Sequence, residues 1–307
     1  MRLDRIYFSA AVAACLLSLA TACQKITAYY PHRDIDYSEW VNDDLQVEDT
    51  HHTLKVMSSN VRYASAPDMD ERNWNNRKTG WTAMLNTIRP TVCGIQECEA
   101  IQIKDISEAC PDYDYYGVSR EDGQPIGAGE HMFILYLRDS LSLGEHGTIW
   151  LSDTPDVPSK YPLAGNNRTA TWAKFKVKST GEEFMMINTH LDFEMAQEFE
   201  MGCIMKLVDD KSDNLPVVMT ADWNALEDSY IFNQMYESFL SARQTGSITD
   251  SYNTYNGYRT VTGESRIDHI FYRGFYSCRS FTTDRSKWEG YQFISDHFPV
   301  YAVLNFE

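Results

Sequence analysis

Six times between residues 53 and 307, a short apolar run of strand length stops or starts abruptly at carboxylate, carboxamide or imidazole residues. Leu54–Met57 runs through two serines to Asn60, and Thr91–Ile95 runs into Gln96-Glu97. Phe184–Ile187 runs into Asn188-Thr189-His190-Leu191-Asp192, and Val217–Thr220 into Ala221-Asp222-Trp223-Asn224. Asp268-His269 opens the apolar run to Tyr272, and Ser295-Asp296-His297 precedes the last strand, where Pro299 turns the chain. Polar groups at successive strand ends of a sheet converge on one edge, where a cleft forms. Buried charges must be paired or bound to metal, so this many acids, amides and imidazoles on one edge is costly unless they do chemistry.

Between these ends the periodicity mixes hairpins with helical crossovers. Trp74–Ile88 carries Trp81, Met84, Leu85 and Ile88 on one stripe and reads as a helix stopped by Pro90. Ile101–Cys110 and Phe193–Val208 also read as helices, and Tyr230–Leu240 is expected to be another. Tyr113–Val118 and Met132–Leu137 flank a turn-rich loop with Gly123, Gly127 and Gly129. Thr169–Val177 alternates cleanly and turns at Ser179-Thr180-Gly181 into Phe184–Asn188, a hairpin. No repeat or linker splits residues 51–307, so one α/β domain of two sheets with outer helices is expected there.

The N-terminus is a separate matter. Arg2 and Arg5 precede an apolar run from Ile6 to Ala22, too short and wrongly flanked for a lasting membrane span. Residues 1–22 are therefore expected to be a signal peptide. Leu19-Ala20-Thr21-Ala22-Cys23 admits ordinary cleavage after Ala22 or, as an imperfect lipobox, a lipid anchor at Cys23, which is favoured; a lipobox ending at Cys15 would leave too short an apolar core. Residues 23–50, rich in Asp and Glu, read as a tether. An exported protein held at a membrane through Cys23, or else secreted, is the expectation, and no protein partner can be inferred.

The chain carries 27 Lys+Arg and 44 Asp+Glu; without Arg2, Arg5 and Asp4 these become 25 and 43, a net charge of −18. That field opposes sequence-blind grasping of nucleic acid, although a cleft can be locally basic. Cys93, Cys98, Cys110, Cys203 and Cys278 lack zinc-ligand spacing and suggest no disulfide pairing. With no hydroxyl or thiol nucleophile beside a base, oxygen-rich ligation points to a hard cation, Mg2+ or Mn2+, with water as nucleophile.

In order and rough spacing, Asn60, Gln96-Glu97, Asn188-Thr189-His190, Asp222-x-Asn224, Asp268-His269 and Ser295-Asp296-His297 resemble the endonuclease/exonuclease/phosphatase superfamily across residues 53–307. Arg120-Glu121-Asp122-Gly123, Trp150–Pro155 and Arg168–Trp172 look like its bacterial, deadenylase-like branch. The resemblance implies a deoxyribonuclease-like four-layer sandwich, two mixed β-sheets flanked by helices, and in-line attack of metal-organised water on phosphorus. It places the metal on Glu97 with Asn60 and Asp296. It gives Asp222 the attacking water, steadied by Asn224, and sets His297, held by Asp268, on the nucleophile or a phosphoryl oxygen. His190 would face the phosphate from the other side with Glu130 fixing its tautomer, and Arg168 would contact the phosphate. Ala221 and Trp223 depart from the family's Gly and Phe, and residues 131–135 depart from its usual apolar-Pro-Ile run, which loosens the register of Glu130. Nuclease, sphingomyelinase and small-molecule phosphatase all remain open as substrate classes, as does a binding lipoprotein that keeps the fold without turnover. Tyr252, Tyr255 and Tyr258 form an aromatic loop expected near the cleft.

Overall fold

The computed structural model of the protein describes residues 52–306. The expected signal peptide, the anchor at Cys23 and the tether to residue 50 lie outside the described residues. With strands numbered along the chain, one sheet holds β1 (Thr53–Asn60), β2 (Val92–Glu99), β3 (Tyr113–Tyr116), β4 (Glu130–Leu137), β11 (Ser277–Thr283) and β12 (Val300–Asn305). Their order is β11-β12-β1-β2-β4-β3. The other holds β5 (Leu141–Trp150), β6 (Thr169–Val177), β7 (Glu183–His190), β8 (Val217–Asp222), β9 (Leu240–Ser241) and β10 (Asp268–Arg273), in the order β5-β6-β7-β8-β10-β9. Both sheets mix parallel and antiparallel pairs.

The sheets pack face to face. Leu54, Val56, Val92 and Ile134 of the first meet Phe175, Phe184, Met186, Val218 and Ile270 of the second. On the far side of the second sheet, Met185, Ile187, Met219 and Phe271 pack with Ile204 and Val208 of helix α3 (Glu194–Lys211). Because β7 is buried on both faces, Phe184–Ile187 reads as a continuous apolar run rather than an alternation. Helix α1 (Trp74–Ile88) begins at Asn73, whose side chain accepts the Asn75 N–H, and ends at Arg89 in a left-handed conformation before Pro90. Its buried stripe lies on the first sheet, where Trp81 Nε1 donates to Ser59 Oγ at 3.2 Å. Helix α2 (Ala100–Ala109) is joined to it by a 2.8 Å bond from Trp74 Nε1 to Asp105 Oδ2. The result is the expected four-layer sandwich.

The segment Tyr230–Leu240 is not one helix. It breaks into a 3-10 turn (Tyr230–Phe232), a single helical turn α4 (Asn233–Tyr236) and the edge strand β9, followed by a second short turn α5 (Ala242–Thr245). Ile231, Phe232, Met235 and Phe239 are all buried, so inward packing is met by an irregular path.

Register explains why the polar strand ends meet. His190 lies opposite Asp222 on parallel β7 and β8, and Asp222 lies opposite Asp268 on antiparallel β8 and β10. Residues opposite each other on adjacent strands share a face, so all three side chains leave the sheet on the same side. In the first sheet Asn60 stands opposite Gln96, and β12 starts just after His297. Below this edge the sheets are tied by amides. Gln96 Nε2 donates to Asn188 Oδ1 at 2.6 Å, while Asn188 Nδ2 donates across to Ile95 O at 2.8 Å and Phe133 O at 2.7 Å. Gly94 makes the approach possible, since a Cβ there would stand 2.0 Å from Thr220 Oγ1 and 2.4 Å from Asn188 Oδ1.

Candidate active site

Glu97 reaches the edge through a β-bulge. The β2–β4 register slips between Ile95 and Cys98, and Glu97 takes a left-handed φ of 61°. A non-glycine residue in that region is held there against its own preference, and bulges re-aim side chains beside active sites. Its Oε1 accepts from Asn60 Nδ2 at 3.0 Å and its Oε2 from the Tyr63 N–H at 3.2 Å. Asn60 Nδ2 also donates to Asp222 Oδ2 at 3.0 Å, so one amide bridges an acid from each sheet.

Asp222 is the hub. Its Oδ1 accepts the Asn224 N–H at 3.0 Å, with Asn224 at a φ of 48°. Its Oδ2 lies 3.5 Å from His190 Nε2 and 3.6 Å from His297 Nε2. His297 Nδ1 is bound to Asp268 Oδ2 at 2.9 Å, which leaves Nε2 directed at Asp222. Tyr255 packs edge-on against the His297 ring, with centroids 5.1 Å apart, so the aromatic loop does border the site. Tyr258 reaches Arg72 O, and Tyr252 lies under Arg285.

The titration behaviour follows from this packing. Burial pushes the Asp222 carboxyl up to about 6 against the pull of His297, with Asp268 adding to the rise. Burial likewise raises Glu97, and the charge of Asp296 adds to it. His297 is desolvated, yet Asp268 and Asp222 outweigh that and hold it as imidazolium. His190 goes the other way: burial, then the fields of Arg168 and Arg120, push it well below the ordinary histidine range. Asn224 Nδ2, 3.1 Å from His190 Nε2, can only donate, so the neutral ring carries its proton on Nδ1.

Glu97, His190 and Asp222 offer ligand atoms that all lie within 4.8 Å of one another, as do Asp222, Asp268 and His297. Carboxylate oxygens that are destabilised by burial and by each other suit a hard divalent cation, which would offset both penalties. The donor set therefore fits such an ion. Asp296 belongs to neither cluster: its Oδ2 lies 3.4 Å from Arg62 Nη1. Asn60 presents its amide N–H groups to two carboxylates, while its Oδ1 accepts the Arg62 N–H at 2.9 Å.

Glu130 departs from expectation. It pairs with Arg120 Nη1 at 2.7 Å, and His190 Nδ1 has no hydrogen-bond partner among the described residues. The two residues sit on different sheets, and the guanidinium of Arg120 takes up the carboxylate instead. Arg168, 5 % exposed, has Nε 3.5 Å from Asp192 Oδ2, and neither Nε nor Nη1 has a hydrogen-bond partner among the described residues. Orphaned buried donors of this kind call for an anion. Arg62, Arg120 and Glu200 are the neighbours of the site that the strand-end pattern missed; a rule tied to strand ends does not reach loop arginines or a helix acid.

The edge thus gathers buried carboxylates, imidazoles and carboxamides beside a buried arginine. The model of the endonuclease/exonuclease/phosphatase family matches residues 57–297. The chain belongs to this family. Among solved structures, an endonuclease/exonuclease/phosphatase family protein of Bacteroides thetaiotaomicron is 33 % identical, with a TM-score of 0.76, covering 83 % of this chain and 98 % of its own. The mannosyl-6-phosphatase of the same organism is also 33 % identical, at a TM-score of 0.74, over 82 % of this chain and 100 % of that one. A Bacteroides vulgatus member is 29 % identical at 0.78, over 83 % and 99 %. The endonuclease/exonuclease/phosphatase fold thus accounts for the sandwich. At the opposite end of the domain a cavity of about 250 Å³ is lined by Thr53, Leu54, Thr91, Asp139, Ser140, Val177 and Ser179, which bring together one carboxylate and no imidazole.

Glu200 supplies a stability prediction. Its Oε2 accepts the Asp192 N–H at 2.8 Å and its Oε1 has no partner among the described residues. Burial pushes its carboxyl up to about 7 against the Asp192 hydrogen bond and the charge of Arg168. With the folded value above the unfolded one, the proton stabilises the fold below the unfolded pKa, and that stability is lost as pH rises through about 7. Glu200→Gln is expected to remove this loss, about 3 kcal/mol at one unit per 1.4 kcal/mol. Thermal melts from pH 4 to 9 read it, and parallel curves for both proteins would show that Glu200 ionises at the same pH in the folded and unfolded chains.

Proposed function

We propose that the protein is a divalent-metal-dependent phosphoester hydrolase whose substrate is a small phosphomonoester, a phosphorylated sugar or a similar alcohol. The observation that carries this reading is the meeting, at one buried edge, of carboxylates that call for a cation with donors that call for an anion. Burial raises Glu97 and Asp222, whose ligand atoms stand within 4.8 Å of each other and of His190. Arg168 and neutral His190 carry N–H groups without a hydrogen-bond partner among the described residues. A phosphoryl group accompanied by a cation complements both at once.

A bound Mg2+ or Mn2+ would be held by Glu97 and the Asn60–Asp222 side, and would supply charge neutralisation and an organised water. Asp222 Oδ2 is placed to accept the proton of that water, with Asn224 steadying the carboxylate through its backbone N–H. His297 donates through Nε2 to a phosphoryl oxygen, its Nδ1 fixed by Asp268. Arg168 and His190 Nδ1 donate to the remaining oxygens as charge builds on them. Charge and kinship both favour a small substrate. The net charge of −17 opposes long polyanions, and a relative matched over its whole chain is a mannosyl-6-phosphatase.

A panel of sugar phosphates, diesters, sphingomyelin and single- and double-stranded nucleic acid, each with Mg2+ or Mn2+, tests the proposal. The expected result is phosphate release that is fastest with sugar phosphates and abolished by chelation. Preferred cleavage of a diester would overturn the substrate class. Ligand retention without turnover under either metal would make the chain a binding protein.

A further inference from the structure

A fixed cation already stands among the carboxylates. Arg62 follows Asn60 by two positions and sits at a left-handed φ of 55°. Its Nε donates to Asp68 Oδ2 at 3.1 Å, its Nη1 lies 3.4 Å from Asp296 Oδ2, and its guanidinium carbon is 4.7 Å from the Tyr63 ring centroid. The backbone of Asp296 is held as well, because its carbonyl accepts the N–H groups of Asn256 at 2.8 Å and Gly257 at 2.9 Å. The guanidinium cannot swing away without breaking its bond to Asp68.

The geometry points to Arg62 as the stand-in for a second divalent cation: it neutralises Asp296 and limits the centre to one ion on the Glu97–Asp222 side. This rests on the metal-dependent reading above. Of the two carboxylate–imidazole clusters, the one built from Asp222, Asp268 and His297 is closed by the bond from His297 Nδ1 to Asp268. Asp296, beside Glu97, is then the carboxylate through which a second ion would enter, and the guanidinium bars it by occupying the oxygen and by repelling a dication at close range. An arginine is suited to this because it cannot deprotonate and its planar fork is held by several partners at once. A mere surface ion pair would instead be expected to contribute little and to leave metal stoichiometry alone.

Mn2+ titration of the chelator-stripped protein, followed by the electron paramagnetic resonance of free Mn2+ and by calorimetry, reads the stoichiometry without any substrate. The native protein and Arg62→Lys are expected to bind one Mn2+ per chain. Arg62→Gln and Arg62→Met are expected to bind two, with at least a tenfold gain in affinity for the second, and adding Asp296→Asn should return the count to one. Circular dichroism establishes that each variant is folded, and two neutral replacements guard against failure of either. One Mn2+ in the folded neutral variants, or two in the native protein, overturns the assignment of Arg62 while leaving metal dependence standing. No Mn2+ on the native protein overturns both.

Discussion

Asp222→Asn is expected to lower the metal-dependent turnover of phosphoesters by about three orders of magnitude or more, with the fold intact. The substitution is isosteric and still accepts the Asn224 N–H through Oδ1. What changes is the other atom. Oδ2 now receives Asn60 Nδ2 at 3.0 Å and lies within 3.6 Å of both imidazole Nε2 atoms. An NH2 group there faces a donor on Asn60 and can take no proton from water. Positioned general bases contribute about 10²- to 10⁴-fold, and loss of the carboxylate also weakens the cation site, so the two losses compound. His297→Ala should be as inactive but less stable, because Asp222 and Asp268 would be left as buried carboxylates without their shared cation. Since these residues act as a unit, the double variant should lose little beyond either single one. Phosphate release under saturating Mg2+ decides the matter, and an Asp222→Asn enzyme within tenfold of the native rate would remove Asp222 from the chemistry.

This centre was visible in the sequence because its parts lie at strand ends and strand ends are marked by a change from apolar to polar. Asn60, Glu97, His190, Asp222, Asp268 and His297 were found this way, and register then makes their convergence a geometric necessity. Two edge strands escaped the same reading. β5 contains Gly144 and Gly147 with a register slip between Leu143 and His146, and β11 is polar with a slip between Cys278 and Ser280. Each lies at the margin of its sheet, half-covered, so no strict alternation is imposed on it. The bulge at Glu97 was equally hidden, as nothing in Gln96-Glu97-Cys98 announces a left-handed residue. Pairing between charged side chains was the least legible level. Glu130 was expected at His190 and is taken by Arg120, and Asp296, expected to hold metal, faces Arg62. Such choices depend on distances between loops far apart in the chain, to which local pattern is blind.

Arg168→Met is expected to have two opposite effects: a more stable ligand-free protein and a catalyst about 10²- to 10³-fold weaker in kcat/KM. Nε and Nη1 of this buried guanidinium have no hydrogen-bond partner among the described residues, and each such donor costs roughly 1–3 kcal/mol. Its neighbour Asp192 loses the field of the guanidinium but keeps the N–H groups of Asn166 and Phe193, which bond the carboxylate at 3.0 and 2.8 Å. Removing the guanidinium should therefore raise the melting temperature, at roughly 2–4 °C per kcal/mol for a domain of this size. The same orphaned donors would be satisfied by phosphoryl oxygens, and charge-assisted bonds to an anion are about twice as strong as neutral ones. Inorganic phosphate should accordingly raise the melting temperature of the native protein and leave Arg168→Met unmoved. Arg168→Lys should restore little, since an ammonium offers a point charge where a planar fork is needed. If Arg168→Met instead melts lower than the native protein and still responds to phosphate, the guanidinium is a structural counter-ion for Asp192 and Glu200. The anion would then be held from the metal side alone.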